Sequence, residues 1–233
     1  MAAPSTTLNR VIPFQVGVEI VVFSIDITAD NLQVLLGETG CGRWQLPGAE
    51  IQAAESLEQA ADRVLRQTLR VDNLYLEQLY TFGGPGRDSR ETPYQRYLAV
   101  SYVALVRLQT TTLLQEHRTV TWHPVQALPP LVGDHRQIVA YGYRRLRNKL
   151  EYSPVAFDIL PEEFTLNELY QVYTLVLGPQ FSDYSNFRTR LLKLGFLVDT
   201  GHKICRGAGR PATLYRFDRE AFQPYQNQPL VFV

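Results

Sequence analysis

The chain has 233 residues, 45% of them hydrophobic and 20% charged, with 23 basic and 23 acidic side chains and no formal net charge. That is a folded composition, long enough for two modest cores, and it excludes a chain that binds nucleic acid through bulk charge rather than local clustering. Cys41 and Cys205 lie too far apart for a disulfide framework or a cysteine metal site, which predicts a reducing, cytoplasmic setting.

In chain order, residues 16–27 are rich in β-branched side chains and predict a strand. Glu19, Ser24 and Asp26 interrupt that run, so it is neither a signal peptide nor a membrane span. A turn at 28–31 leads to a second strand over 32–36, then a loop over 37–47. A helix follows from about Ser56 to Leu69, where Leu57, Ala60, Ala61, Val64, Leu65 and Leu69 recur at helical spacing on one face. Residues 98–108 predict a long strand and 119–125 a shorter one, and Pro129-Pro130 close the first domain.

Residues 134–150 predict a helix with Asp134 as N-cap and Val139, Tyr143, Leu146 and Leu150 as its apolar stripe. Its basic run, Arg144, Arg145, Arg147 and Lys149, is placed on the opposite side. Pro161-Glu162-Glu163 reads as the start of a further helix, with Leu166, Leu169, Tyr173 and Val176 as its stripe and Gly178-Pro179 as its stop. Ser182 or Asp183 caps the next helix, which runs to Leu194 and ends at Gly195. Two strands follow, over 196–198 and 213–217, joined by a Gly-rich basic loop. The histidines, His117, His123, His135 and His202, are scattered and read as structural or surface groups.

Residues 43–71, RWQLPGAEIQAAESLEQAADRVLRQTLRV, resemble the Nudix box and its lead-in. Leu46-Pro47-Gly48 matches the approach to that motif, Glu55 its first glutamate, Arg63 its arginine, and Leu65 and Val71 its aliphatic positions. Val64 stands where the motif has the glutamate after the arginine, Gln67 and Thr68 replace its glutamate pair, and Ala49 and Arg70 replace glycines. Nudix hydrolysis needs a hard divalent cation, and such cations need anionic oxygen ligands. Between Arg63 and Thr68 the family motif carries about −2, whereas Arg63 and Arg66 set against the neutral Val64, Gln67 and Thr68 leave this segment repelling a cation. The resemblance implies a retained Nudix fold with the metal chemistry deleted, and neither cofactor nor metal.

Residues 80–90, YTFGGPGRDSR, followed by a strand, are similar to the corresponding region of ADP-ribose-type Nudix domains and of Nudix-related regulators of NAD metabolism. The resemblance implies a nucleotide site drawing on Arg43, Glu55, Arg63, Arg66, Arg87 and Arg90, with Arg87 and Arg90 suited to bidentate pairing with phosphate.

Seven basic residues and one acid, Asp199, lie between Ser185 and Arg216. On the helix after Asp183, Phe187, Leu191 and Leu194 form an inner stripe. Ser185, Asn186, Thr189, Arg190 and Lys193 form a polar one suited to a DNA major groove, with Arg188 at its flank. Lys203, Arg206 and Arg210 on the hairpin loop are placed to follow a phosphate backbone. The stretches SNFRTRLLKLG and GRPATLYRF resemble the C-terminal domain of the same regulators.

The sequence thus predicts an α+β protein. A Nudix-fold α/β/α sandwich with a mixed sheet occupies 11–150, including the connecting helix, and a winged helix-turn-helix occupies 155–233. The implied function is that of a cytoplasmic, homodimeric repressor of NAD-pathway genes that binds double-stranded operator DNA and senses ADP-ribose or a related NAD-derived nucleotide. Its rivals are an active Nudix hydrolase using Glu50, Glu55 and Glu58, and a protein-interaction module.

Overall fold

The computed structural model describes residues 13–71, 75–85, 87, 96–108, 111–114, 119–181, 183–205, 210–226 and 228–230. The first unit is built on β1 (Phe14–Asp26), β2 (Asn31–Glu38), β3 (Trp44–Gln45), β4 (Gly48–Glu50), α1 (Leu57–Thr68), β5 (Leu69–Arg70), β6 (Tyr75–Phe82), β7 (Arg96–Val106), β8 (Thr112–Leu113) and β9 (Val120–Pro124). Its mixed seven-stranded sheet runs β3-β2-β1-β7-β6, with β4 on β1 and β9 on β2, while β5 and β8 pair separately. β1 and β7 are parallel from Phe14↔Arg96 to Ser24↔Val106. A central parallel strand is covered on both faces, which is why β1 reads as a nearly unbroken apolar run.

Alternation in β1 sorts its side chains between two layers. Val18, Ile20 and Val22 pack with Ala60, Ala61, Val64 and Leu65 of α1. Val21, Phe23 and Ile25 face the other way, towards α2 (His135–Tyr152), whose Ile138, Val139, Leu146 and Leu150 are buried there. Gly142 lets this helix approach, since a Cβ at that position would lie 3.3 Å from Val21 Cγ1. α1 starts at a capping box in which Ser56 and Gln59 satisfy each other's backbone amides.

The second unit contains α3 (Val155–Asp158), β10 (Glu163–Thr165), α4 (Leu166–Leu177), α5 (Tyr184–Lys193), β11 (Leu197–Ile204), β12 (Ala212–Phe217) and α6 (Arg219–Phe222). Its sheet has the order β10-β12-β11. Phe187 of α5 packs on Tyr170, Tyr173 and Phe181, and Phe157 stacks on Phe217 at 4.1 Å. One buried cluster runs from Val21 and Phe23 through α2 into Val172, Tyr173 and Phe187. Tyr143 Oη donates to the Val176 carbonyl at 2.8 Å and Arg107 Nε to that of Asp158 at 3.0 Å, so hydrogen bonds also join the units.

Three local expectations change. Glu163 belongs to strand β10, and the helix begins at Leu166 because Thr165 and Glu168 form the capping box there. Asp134 occupies the N-cap position of α2, but its carboxylate makes no capping hydrogen bond and is held by Arg87 instead. Arg145 and Lys149 of the basic run are half-buried and each reaches Glu77 at 2.8 Å, leaving Arg144 as the exposed member.

Candidate functional site

Two clefts meet at the segment Gln45, Leu46, Gly48 and Ala49. The smaller, about 320 Å³, is lined by Val64, Gln67 and Thr68 of α1 together with Gly37, Leu114 and Val120. By the resemblance to the Nudix box, these α1 positions correspond to those where that motif carries metal-binding carboxylates. Here Val64 is buried, Gln67 is a neutral amide, and the Thr68 hydroxyl donates to the Val64 carbonyl at 2.6 Å. No anionic donor comes from these three positions, so they do not fit magnesium or manganese. Among the described residues, no three His, Cys, Asp or Glu side chains come together as a metal site.

The larger cleft, about 1090 Å³, is lined by Glu19, Thr39, Arg43, Glu50, Tyr97 and His135 among others. β4 forms one wall by pairing Gly48 with Glu19 of β1. A Cβ at Gly48 would stand 2.6 Å from the Val18 carbonyl oxygen and 3.1 Å from Glu19 Cγ, so glycine permits this close approach.

Beneath this cleft lies a buried ionic cluster. Arg87 Nη2 reaches both oxygens of Glu19 at 2.6 Å and Nη1 reaches Asp134 at 3.2 Å, with both side chains of the Arg87–Glu19 pair under a tenth exposed. The guanidinium also lies 5.7 Å from the Tyr97 ring centroid and 6.0 Å from that of Phe82. His135 Nδ1 accepts the Leu46 amide at 2.9 Å, which places the ring hydrogen on Nε2, 3.4 Å from Glu19. Burial pushes the Glu19 carboxyl up, but hydrogen bonds from His135 and Arg87 and the Arg87 charge outweigh it and hold it below the usual carboxylate range.

Of the six residues expected to hold ligand, Arg43 lines the larger cleft. Glu55 and Arg63 brace each other, with Arg63 Nε 2.9 Å and Nη2 2.6 Å from the carboxylate and Nη2 also on the Glu50 carbonyl. That brace fixes the turn before α1 instead of facing either cleft. Arg63 and the Gln52 amide accordingly hold the Glu55 carboxyl below its ordinary value. Arg66 pairs with Asp62 on the exposed side of α1. Arg87 is committed to Glu19 and Asp134, and Arg90 lies outside the described residues. The sequence reading missed Glu19 and His135 as cleft residues. The available signal was a lone carboxylate inside an apolar strand.

The second surface is on α5 and the β11–β12 hairpin. Asp183 caps α5 through the Asn186 amide at 2.9 Å, and Phe187 and Leu191 are buried. Ser185, Asn186, Arg188, Thr189, Arg190 and Lys193 are all exposed, although the Thr189 hydroxyl is spent on the Ser185 carbonyl at 2.8 Å. Lys203 and Arg210 are exposed at the hairpin's far end, and Arg206 falls outside the described residues. Tyr184, also exposed at the helix start and packed edge-on against Tyr170, was not foreseen.

A double cleft beside α1 of a mixed-sheet sandwich, joined to a winged helix with a basic outer face, has the architecture of a Nudix-type regulator. Residues 18–142 match the family model of the NUDIX domain, and residues 152–233 that of the AraR C-terminal winged HTH domain. The chain is 31% identical over 217 residues to the ADPR responsive transcriptional repressor NtrR of Acinetobacter baylyi, covering 89% of this chain and 82% of that one. NrtR of Shewanella oneidensis, solved in complex with a 27mer DNA, superposes with a TM-score of 0.74 at 33% identity over 89% of this chain and 95% of that chain. A second NrtR structure from that organism gives a TM-score of 0.73 at 32% identity over 92% and 98%. The chain belongs to the NrtR family of Nudix-related transcriptional regulators.

Proposed function

We propose that this protein is a repressor that binds double-stranded operator DNA, senses ADP-ribose or a related NAD-derived nucleotide, and controls genes of NAD synthesis or salvage. The observation that carries this reading is the pairing, in one chain, of a Nudix cleft lacking these metal-binding carboxylates with an exposed Asn- and Arg-bearing helix on a winged fold. The relatives' names support it: one is an ADPR responsive repressor and another was solved on DNA.

In this reading residues 11–150 sense the nucleotide and 155–233 bind DNA. α2 couples them because it packs under the sheet and bonds to α4. Two copies act as a cytoplasmic homodimer on a two-fold related site. No helix among the described residues is long and apolar enough to cross a membrane. Ser185, Asn186, Thr189, Arg190 and Lys193 face the bases, Arg188, Lys203, Arg206 and Arg210 the phosphates, and Arg43 the nucleotide.

The protein binds without hydrolysing. Incubated with ADP-ribose and magnesium, it should release AMP and ribose phosphate no faster than background, while calorimetry should detect binding that persists in a chelator. Robust turnover abolished by Glu55→Gln would establish the hydrolase instead.

A further inference from the structure

The larger cleft contains a group to which the repressor reading assigns no task. Glu19 lines it from β1, a strand whose neighbouring positions Val18, Ile20 and Val21 are wholly buried. A carboxylate there carries a desolvation cost that an apolar residue would avoid. We propose that Glu19 is a specificity-determining residue, whose carboxylate accepts hydroxyl groups of a ribose on the bound nucleotide and rejects a phosphate at that position. The inference rests on the reading of the cleft as the nucleotide site.

Arg87 and His135 hold the group ionised and aimed. An ionised carboxylate has about four acceptor positions, and among the described residues Arg87 and His135 make three contacts to it. Gly48 keeps the wall opposite Glu19 clear, since any side chain there would crowd its Cγ. Glu50 and Thr39 add further oxygen acceptors, and Arg43 is the one guanidinium among the lining residues. Such a lining suits the hydroxyl-rich part of a nucleotide. A phosphate beside Glu19 would meet like charge, whereas a ribose diol offers it hydroxyl donors.

Wild type and Glu19→Gln are titrated calorimetrically with three ligands: ADP-ribose, ADP, which lacks the terminal ribose, and ADP-ribose phosphorylated at its adenosine 2′ position. Loss of a hydrogen bond to a charged group predicts about tenfold or greater weakening of ADP-ribose binding in the variant. That penalty should fall below about twofold for whichever analogue lacks the hydroxyl being read. If the adenosine ribose is the one read, wild type should also reject the phosphorylated ligand and Glu19→Gln should relieve the rejection. A penalty equal for all three ligands, or none for ADP-ribose, overturns the inference and makes Glu19 structural. Glu19→Asp keeps the charge beside Arg87 but withdraws it from the cleft, and serves in the same titrations if the glutamine variant does not fold. Failure of wild type to bind ADP-ribose at all would instead remove the repressor reading on which the inference stands.

Discussion

Raising the salt concentration from about 50 to about 200 mM should weaken binding to operator DNA by about ten-thousandfold. Arg188, Lys203, Arg206 and Arg210, taken over two protomers, provide about eight phosphate contacts, and each released counterion adds about 0.9 to the slope of log affinity on log salt, giving a slope near −7. The exposed positions of Arg188, Lys203 and Arg210 fit that task. Individual residues should separate by role. Arg206→Ala should weaken every sequence alike and reduce the slope by about two in a dimer. Arg190→Ala should cost about 1–3 kcal/mol on the preferred site and flatten preference at one base pair per half-site. Filter binding across a salt series, on operator and random duplexes, reads both effects. If the two variants weakened specific and random DNA equally, α5 would not be the reading element.

Arg87→Ala should destabilise the folded protein by about 3–5 kcal/mol, read as a shift in the urea midpoint. The Arg87 side chain is 5% exposed and that of its partner Glu19 is 8%, so truncation strands the Glu19 carboxylate and releases Asp134 in a site that water scarcely reaches. A surface pair would lose about 1 kcal/mol at most, and a loss that small would show the cluster to be open to solvent. The pH dependence has a defined sign. Glu19 titrates below its ordinary range in the folded state, so its contribution is complete above the unfolded value of about 4.3 and is lost as pH falls through the folded value. Because burial without Arg87 raises the Glu19 value in the variant, the stability gap between wild type and Arg87→Ala should narrow as pH falls from that raised value through the lowered wild-type one.

Elements whose signals are local were legible in the sequence. The β1 run, the α1 stripe and the glycine that ends α4 each depend on neighbours within one turn or one strand, and they appear nearly where periodicity puts them. The Glu162-Glu163 pair misled because acidic residues favour a helix start in general, whereas Thr165 and Glu168 satisfy the actual first turn of α4. The cleft was harder to read. Glu19 acquires its meaning from Arg87, Asp134 and His135, which lie far along the chain and come together only when β1, the segment after β6 and the start of α2 are assembled. The same assembly pairs Arg87 with Glu19 and Asp134, contacts that its guanidinium alone did not suggest. Glu55 and Arg63 are a motif pair whose spacing was visible, but that they brace a turn could be seen only once their hydrogen bonds were in place.

The central claim is that one protein couples nucleotide binding to DNA binding, and a mobility-shift titration tests it most directly. Purified protein is titrated onto duplex carrying the inverted repeat upstream of an NAD-pathway operon, with and without saturating ADP-ribose. A nucleotide-coupled repressor should form a specific complex whose affinity changes by at least about fivefold when ADP-ribose is present. An affinity unchanged by ADP-ribose, with calorimetry showing the nucleotide bound, would contradict the coupling, and no preference for the repeat over random duplex would contradict the DNA-binding function itself.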